Sequence, residues 1–198
     1  MSAAGAAAPA QTVLVRHAET EWSRDGRHTG RTDLPLTERG REVARALAPL
    51  LAPRSFGLVL VSPLRRALET CELCGLGALA QERPDLMEWD YGDYEGLTTP
   101  QIHEQRPAWD LWRDGCPGGE DAAAVGVRAD RVVAELAGAA VPSAVFSHGH
   151  MLRVLGARWI ERPPQLGARL ALSTGGLCLL GHEHTNRVLA RWNSPQLD

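Results

Sequence analysis

The stretch Thr12-Val-Leu-Val-Arg16-His17-Ala-Glu-Thr20 begins as a short apolar run and ends in an arginine, a histidine and a carboxylate. Its apolar, β-branched half is typical of a buried strand. In a parallel α/β sheet, groups at the carboxyl end of a strand face the crevice where ligands bind. The stretch therefore predicts a cation beside an imidazole at a ligand site, unless the strand simply reaches water there and Arg16 and His17 are solvated.

Two further apolar runs also end in polar residues. Phe56–Ser62 predicts a second buried strand, and Pro63 is predicted as the first residue of a helix that carries Arg66. Ser143–Ser147 predicts a third strand, which His148-Gly149-His150 follows. Because helical patterns separate these strands, the sequence predicts an α/β fold. We expect a three-layer sandwich with a mostly parallel central sheet and helices on both faces.

The remaining segments predict the other elements of this fold. In chain order they are a loop over Glu21–Pro35, a helix that Thr37 caps and Pro53 ends, a short edge strand within Leu76–Gln81, an irregular acidic and aromatic segment over Asp85–Gly96, one or two short helices over Thr98–Asp114, an amphipathic helix over Glu120–Gly138, a helix over Met151–Ile160, and paired strands over Gly176–His182 and Arg187–Trp192. The length fits one domain over residues 11–198, with a cap region at about 88–120, after a flexible N-terminal tail over residues 1–10.

The composition is that of a soluble globular protein, with 44% hydrophobic and 23% charged residues. The net charge of -3 and the absence of a basic run give no nucleic-acid footprint. No run of about 18 apolar residues exists to span a membrane, and residues 1–10 lack the basic and apolar regions of a signal peptide. We therefore expect a cytoplasmic protein with a small-molecule partner and neither a nucleic-acid nor a membrane partner. A homo-oligomer is left open.

Cys71 and Cys74 form a C-x-x-C pair within a helical pattern, and no second cysteine pair lies nearby. Zinc would need further ligands at suitable spacing. Buried thiols are therefore expected. His182-Glu183-His184 holds three potential ligands but lies at a predicted hairpin end, where we expect solvated turn residues. The sequence predicts no metal site.

The carboxyl ends of the three strands converge if the strands are neighbours in the sheet. This convergence groups two arginines and two histidines: Arg16, Arg66, His17 and His148. Such a group suits a dianionic phosphate, because arginine forks match phosphate oxygens. Gly149 allows close backbone approach, and the N–H groups of the helix that starts there favour an anion. One imidazole can attack phosphorus, and Glu88 is a candidate proton donor for the leaving oxygen.

These residues carry a resemblance to a known family. Val15-Arg16-His17-Ala18-Glu19-Thr20, with Ser62-Pro63-Leu64-Arg65-Arg66-Ala67 and Ser147-His148-Gly149, resembles the histidine phosphatase superfamily, whose fold is phosphoglycerate mutase-like. The resemblance covers the chain from about Thr12 to Trp192. It implies that His17 is phosphorylated on nitrogen and that Glu88 donates the proton. The residues that it implies hold the phosphoryl group are Arg16, Arg66 and His148. It implies no metal, and we expect no cofactor.

The resemblance also implies that a loop over residues 23–30 closes over the phosphate. The residues expected to bind substrate are, in chain order, Arg16, Ser23, Thr29, Gly30, Arg66, Tyr91, Arg113, His148 and Gly149. Arg113 would meet a second phosphate or a sugar hydroxyl; the alternative is a surface ion pair with Asp110 or Asp114. His28 is expected to be exposed, and contact of His150 with the phosphate is left open.

The same fold is used by phosphatases and by mutases. Family mutases carry a lysine where this chain has Thr99, an arginine pair where it has Arg113-Asp114, and an asparagine where it has Ser23. The segments Glu88–Gly96 and Trp112–Glu120 instead resemble a narrower group of hydrolases, which includes actinobacterial acid phosphatases and a fungal sedoheptulose-bisphosphatase type. We therefore expect a metal-independent phosphomonoesterase for small phosphate esters, with sugar phosphates or bisphosphates as candidate substrates. The alternatives are a 2,3-bisphosphoglycerate-dependent phosphoglycerate mutase and a non-catalytic phosphate-binding module.

Overall fold

A six-stranded sheet forms the centre of the chain, which a computed structural model describes over residues 10–194. The strands are β1 (Thr12–Arg16), β2 (Leu58–Val61), β3 (Ala80–Glu82), β4 (Ser143–Ser147), β5 (Leu177–Glu183) and β6 (Asn186–Ser194). Their order in the sheet is β3-β2-β4-β1-β5-β6. The first four strands are parallel, and β5 and β6 add an antiparallel hairpin at one side. The mostly parallel sheet is confirmed. The predicted N-terminal tail lies outside the described residues, apart from Ala10.

Helices cover both faces of the sheet. They are α1 (Glu21–Arg24), α2 (Glu38–Leu51), α3 (Arg65–Leu73), α4 (Thr99–Gln105), α5 (Leu111–Asp114), α6 (Ala122–Ala139) and α7 (Gly149–Trp159). Successive side chains of a strand point to opposite faces. Accordingly, Val13 and Val15 of β1 lie in one apolar core with Leu47 of α2. Leu14 lies in a second core with Leu152 of α7. The uninterrupted apolar run of β1 thus reflects a strand that is buried on both sides.

Local capping explains where the helices start and where two expectations were wrong. Thr37 caps α2 as predicted, since its hydroxyl accepts the N–H of Gly40 at 2.9 Å. The segment predicted as one loop contains α1, because Thr20 and Ser23 cap that short helix reciprocally. Pro63 is not the first helical residue.

The start of α3 is shifted because Leu64 stays extended, with ψ 133°. The backbone N–H of Leu64 donates to the hydroxyl of Ser62 at 3.3 Å. The helix therefore begins only at Arg65. The edge strand is also present but displaced. A 3-10 turn over Gly77–Leu79 takes up the first part of the predicted segment, and β3 follows it.

The potential metal ligands outside the pocket do not form a cluster. Cys71 and Cys74 are free and buried, as predicted, and burial raises the pKa of each thiol to about 12. His182 packs against the ring of Trp159 with the centroids 5.4 Å apart, so it is not the solvated turn residue that we expected. Among residues 10–194, no group of three His, Cys, Asp or Glu side chains is placed to hold a metal ion.

Within the described part of the chain, no helix is both long and apolar enough to cross a membrane.

Candidate active site

A pocket of about 200 Å³ opens at the carboxyl ends of the parallel strands. It forms there because β1 lies beside β4, with Arg16 paired in register with Ser147, and β2 lies on the other side of β4. The lining residues are Arg16, His17, Ser23, Gly26, Arg27, His28, Thr29, Glu88, Tyr91, Gly149, His150 and Arg153. The carboxyl ends of the three strands are therefore neighbours, as predicted, but Arg66 and His148 are not among the residues that line the pocket.

His17 is placed to act as a neutral nucleophile. Its side chain is only 4% exposed, and its Nδ1 lies 2.8 Å from the carbonyl oxygen of Ala18. A carbonyl can only accept a hydrogen bond, so Nδ1 carries the proton and Nε2 keeps its lone pair. Burial, followed by the charges of Arg66 and Arg16, holds the pKa of His17 well below 6.5. The imidazole is therefore neutral at neutral pH, with its one proton on Nδ1.

Arg66 lies behind the pocket and is fully buried. Its Nε donates to Nδ1 of His148 at 3.0 Å, and Nη1 donates to the carbonyl of Thr32 at 2.9 Å. Nη2 donates to the carbonyls of Thr29 at 3.1 Å and Gly30 at 2.9 Å. Burial lowers the pKa of Arg66. One guanidinium thus ties the loop over the pocket to the second histidine.

His148 is held in one tautomer by these contacts. Because Arg66 donates to Nδ1, the proton must lie on Nε2, which donates to the hydroxyl of Ser62 at 2.7 Å. Burial, and then the charge of Arg66, holds the pKa of His148 well below 6.5. The ring centroids of His148 and His17 are 5.2 Å apart. His17 of the pocket lining and the fully buried His148 behind it are therefore neighbouring, neutral rings.

Arg16 has a donor group with no partner. Its Nη1 donates to the carbonyl of Leu172 at 2.5 Å, but its Nε is buried and bonds to no acceptor among residues 10–194. A Cβ atom added to Gly149 would lie 3.1 Å from Cζ of Arg16, so glycine lets α7 begin close to this guanidinium. A buried unpaired donor is costly. Arg16 also lines the pocket, so an anion bound there would lie beside this cation.

Glu88 is 5% exposed and lies at the N-terminus of α7. Its Oε1 accepts the backbone N–H groups of Trp89 and Met151, both at 2.9 Å. Its Oε2 accepts only the backbone N–H of His150, at 3.0 Å. A carboxylate has about four acceptor sites. The three N–H groups fix the orientation of the carboxylate, which lines the pocket, and leave one acceptor site on Oε2 unused by the described residues.

Three uncharged rings form the wall beside Glu88. The hydroxyl of Tyr91 lies 2.5 Å from Nδ1 of His150, and the centroids of His28 and Tyr91 are 4.8 Å apart. His28 is therefore half-buried in the pocket wall, and the expectation that it is exposed was wrong. His150 also lines the pocket, and the contact with the phosphate that the sequence left open stays a prediction.

The loop over residues 23–30 contributes to the site in two ways. Ser23 and Thr29 line the pocket, but Gly30 does not. The N–H of Gly30 instead donates to the carboxylate of Glu95 at 2.9 Å, and its carbonyl accepts from Arg66. A Cβ on Gly30 would lie 2.5 Å from the carbonyl oxygen of Trp89. Gly30 therefore holds the loop against the site from behind.

Arg113 lies away from the pocket. It is exposed, donates to Asp114 at 2.7 Å, and lines a separate surface hollow with Trp112 and Arg169. The ion pair considered as the alternative is therefore present. Conversely, Arg27 and Arg153 line the pocket although the sequence reasoning assigned them no role. The available signal for Arg153 was its spacing, since it follows Gly149 by one helical turn.

Comparisons with known proteins agree with this geometry. The family model "Histidine phosphatase superfamily (branch 1)" matches residues 12–195. An acid phosphatase of Mycobacterium tuberculosis is 44% identical, covering 90% of this chain and 89% of that protein. The sedoheptulose 1,7-bisphosphatase of Saccharomyces cerevisiae is 37% identical over 74% of this chain and 66% of the yeast protein. The solved structure of an open reading frame product from Mycobacterium tuberculosis, 42% identical, superposes with a TM-score of 0.88 and covers 93% of this chain and 97% of that one.

Proposed function

The chain belongs to the histidine phosphatase superfamily and is a phosphatase, and we propose that it hydrolyses small phosphate monoesters through a phosphohistidine on His17. One observation carries the residue assignment. A neutral imidazole with a free Nε2 lies in the same pocket as a buried arginine Nε that has no partner in the described chain. A nucleophile beside an unsatisfied cationic donor suits attack on a phosphoryl group.

In the first step, Nε2 of His17 forms a bond to phosphorus while the bond from phosphorus to the ester oxygen breaks. The proton on Oε2 of Glu88 goes to that oxygen, so the alcohol leaves neutral. The bond from Nδ1 to the carbonyl of Ala18 stabilises the ring as it gains positive character. This step produces the phosphohistidine.

In the second step, a water oxygen bonds to phosphorus and the bond to Nε2 of His17 breaks. The water proton passes to the carboxylate of Glu88, which restores the acid used in the first step. Inorganic phosphate then leaves. Because the proton returns to the same carboxylate, one turnover needs no other acid or base.

The charge of the transferred group is met by fixed donors. Arg16 supplies one cation in the pocket lining, and Arg66 supplies a second from behind the pocket. The N-terminus of α7 adds its partial positive charge. Donors that are oriented before reaction stabilise the transition state without reorganisation. This chemistry requires no metal ion.

The substrates we propose are small sugar phosphates or related esters. Two of the similar proteins are an acid phosphatase and a sedoheptulose 1,7-bisphosphatase. The pocket volume of about 200 Å³ supports a small ester. The rings of His28, Tyr91 and His150 provide uncharged donors and acceptors, which suit hydroxyl groups.

The features expected of a mutase do not favour that activity here. Thr99 stands at the lysine position, and its hydroxyl lies 3.3 Å from Nε2 of His28. Arg113 is engaged with Asp114 outside the pocket. Neither position therefore supplies the cation that a mutase would use to hold a substrate carboxylate.

The test is hydrolysis of p-nitrophenyl phosphate and of a panel of phosphorylated metabolites, with and without EDTA. The wild type is expected to release phosphate equally in both conditions, and His17→Ala is expected to be inactive. Arg158→Met is the matched control, because Arg158 lies on α7 but is paired with Asp130 at the surface. Turnover by His17→Ala would refute the mechanism. Stimulation by 2,3-bisphosphoglycerate with interconversion of 3- and 2-phosphoglycerate would instead indicate a mutase, and no turnover at all would indicate a binding module.

We further propose that the protein acts in the cytoplasm. The support comes from its thiols, which are Cys71, Cys74, Cys116 and Cys178, all free and buried. Reduced cysteines are the usual state in a reducing compartment. Fractionation of the native host, with activity measured in each fraction, tests this location.

A further inference from the structure

Arg153 is held rigidly at the edge of the pocket. Its Nε donates to the carbonyl of Gly167 at 2.8 Å, and its Nη2 donates to the carbonyl of Ala168 at 3.2 Å. Its Cζ lies 4.7 Å from the ring centroid of Trp112. These contacts fix the plane of the guanidinium and leave its Nη1 without a hydrogen-bond partner in the described part of the chain. Arg153 is thus prepared to bind a group in the pocket.

Arg153 has no ion-pair partner in the described part of the chain, although the Glu88 carboxylate of the same pocket partly opposes the lowering of its pKa by burial. No carboxylate among residues 10–194 lies within ion-pair distance of it, whereas Arg128 pairs with Glu120 at 2.8 Å and Arg158 with Asp130 at 2.6 Å. The side chain is half-buried, and this burial lowers its pKa. A partly buried cation without a counter-ion is unfavourable. The missing counter-ion is therefore expected to come from a ligand.

Arg153 lies close to the proposed proton donor. Its guanidinium stacks on Trp112, whose ring centroid lies 5.4 Å from that of His150. The backbone N–H of His150 binds the carboxylate of Glu88, and His150, Glu88 and Arg153 all line the pocket. Because that carboxylate must contact the ester oxygen, the groups around it face the alcohol half of the substrate. Arg153 therefore lies on the leaving-group side.

Arg27 adds a second cation to the pocket lining. Its Nε donates to the carbonyl of Gly96 at 2.6 Å, and its Cζ lies 4.7 Å from the ring centroid of Trp22. It also has no carboxylate partner among the described residues. Arg27 and Arg153 are thus two arginines of the same pocket that are both stacked on tryptophan and both lack a counter-ion.

We propose that Arg153 and Arg27 form a second anion site on the leaving-group side, so that the preferred substrates are phosphate esters whose alcohol half carries another anionic group. This inference rests on the proposed phosphatase function, and it adds a substrate class to it. The anionic group is a phosphate or a carboxylate. Both offer oxygens that a guanidinium binds through paired N–H groups.

The experiment compares substrates that differ only in the second anion. Fructose 1,6-bisphosphate is measured against fructose 6-phosphate for a second phosphate, and 6-phosphogluconate against sorbitol 6-phosphate, which is also an open chain, for a carboxylate. The quantity is the ratio of kcat/KM values within each pair. The wild type is expected to favour the more anionic member of at least one pair by about tenfold or more. The pair that shows the preference identifies the second group.

The variants are Arg153→Met, Arg27→Met and the control Arg158→Met. Arg153→Met and Arg27→Met are each expected to reduce the ratio towards one, whereas Arg158→Met keeps the wild-type ratio. Arg153→Lys, which keeps the charge without the planar fork, should retain part of the preference. Circular dichroism and thermal melting establish that each variant is folded. Because Arg27 is exposed, its variant remains informative even if Arg153→Met does not fold.

The outcomes separate this inference from the function on which it rests. If the wild type hydrolyses p-nitrophenyl phosphate but does not distinguish the members of either pair, the second anion site is refuted and the phosphatase assignment stands. An unchanged ratio in both Arg153→Met and Arg27→Met also refutes it. If the wild type does not hydrolyse p-nitrophenyl phosphate, the proposed function itself fails.

Discussion

The Nε of Arg66 donates to Nδ1 of His148 at 3.0 Å, and this bond joins two fully buried side chains that lie behind the pocket. It sets the tautomer of the ring and therefore directs its Nε2–H to Ser62. The same guanidinium binds carbonyls of the loop over the pocket. The orientation of His148 and the position of the loop are thus coupled through one side chain.

The first prediction concerns Arg66→Lys. A lysine keeps the charge but cannot donate in the four directions that Arg66 uses, so His148 and the loop lose their common anchor. We expect kcat/KM to fall by about 100-fold or more and the free energy of unfolding to fall by about 3 kcal/mol. Kinetics with p-nitrophenyl phosphate and urea unfolding measure the two quantities. A variant within threefold of wild-type kcat/KM would contradict the role assigned to Arg66.

The second prediction concerns Glu88→Gln and depends on the leaving group. Nitrophenolate leaves without a proton, whereas a sugar alkoxide needs one. We therefore expect the rate of the first step to fall about 10²–10⁴-fold with sugar phosphates and much less with p-nitrophenyl phosphate. Single-turnover kinetics with both substrates provide the measurement. Equal losses with the two substrates would mean that Glu88 does not protonate the leaving oxygen.

The third prediction compares two glycine substitutions. A Cβ in Gly30→Ala would meet the Trp89 carbonyl at 2.5 Å and the Glu95 carboxylate at 2.6 Å. We expect a loss of about 1–3 kcal/mol in the free energy of unfolding and a higher KM, because the loop must shift. Gly138→Ala is the matched control, since it lies in α6 with no atom within 4 Å of the new Cβ. It should be neutral or stabilise by about 0.5–1 kcal/mol. Urea unfolding of both variants decides whether the effect is specific to the loop.

The fourth prediction concerns the pH dependence of stability. Burial is the main cause that holds the pKa values of His17, His148 and His150 well below 6.5 in the folded protein. Below pH 6.5 the unfolded chain therefore binds more protons than the folded one. The free energy of unfolding therefore has its full value above that pH. It decreases as pH falls, by up to about 1.4 kcal/mol per pH unit for each histidine.

Urea unfolding between about pH 7.5 and about pH 5.5 measures this slope. His150→Asn is expected to remove one histidine's share of it. A free energy of unfolding that stays constant or rises as pH falls over this range would show that the histidines are not held neutral by burial.

Much of the fold and of the central site could be predicted from the sequence because they depend on local patterns. Apolar runs that end in Arg16-His17 and His148-Gly149 predict both the strands and the polar groups at their carboxyl ends. The alternation of these strands with helices predicts the layers. Glu88 was predicted as a proton donor from its apolar setting between Met87 and Trp89, and the family resemblance implied the same role.

The remaining features depend on contacts between distant parts of the chain. Gly30 lies behind the site because Glu95 and Arg66, both far away in sequence, bind its backbone. The direction of a long arginine side chain is likewise set by its tertiary neighbours. Arg113 therefore turned towards Asp114 at the surface, whereas Arg153 turned into the pocket over Trp112. The spacing of residues along the chain does not contain this information.

The central claim is that His17 carries the phosphoryl group during turnover, and one measurement addresses it directly. The enzyme is quenched within milliseconds of mixing with substrate, under alkaline conditions that preserve phosphohistidine, and its peptides are mapped by mass spectrometry. We expect one phosphoryl group on the peptide that contains His17, attached to the imidazole, and none in His17→Asn. A phosphoryl group on another residue, or undiminished turnover by His17→Asn, would contradict the mechanism.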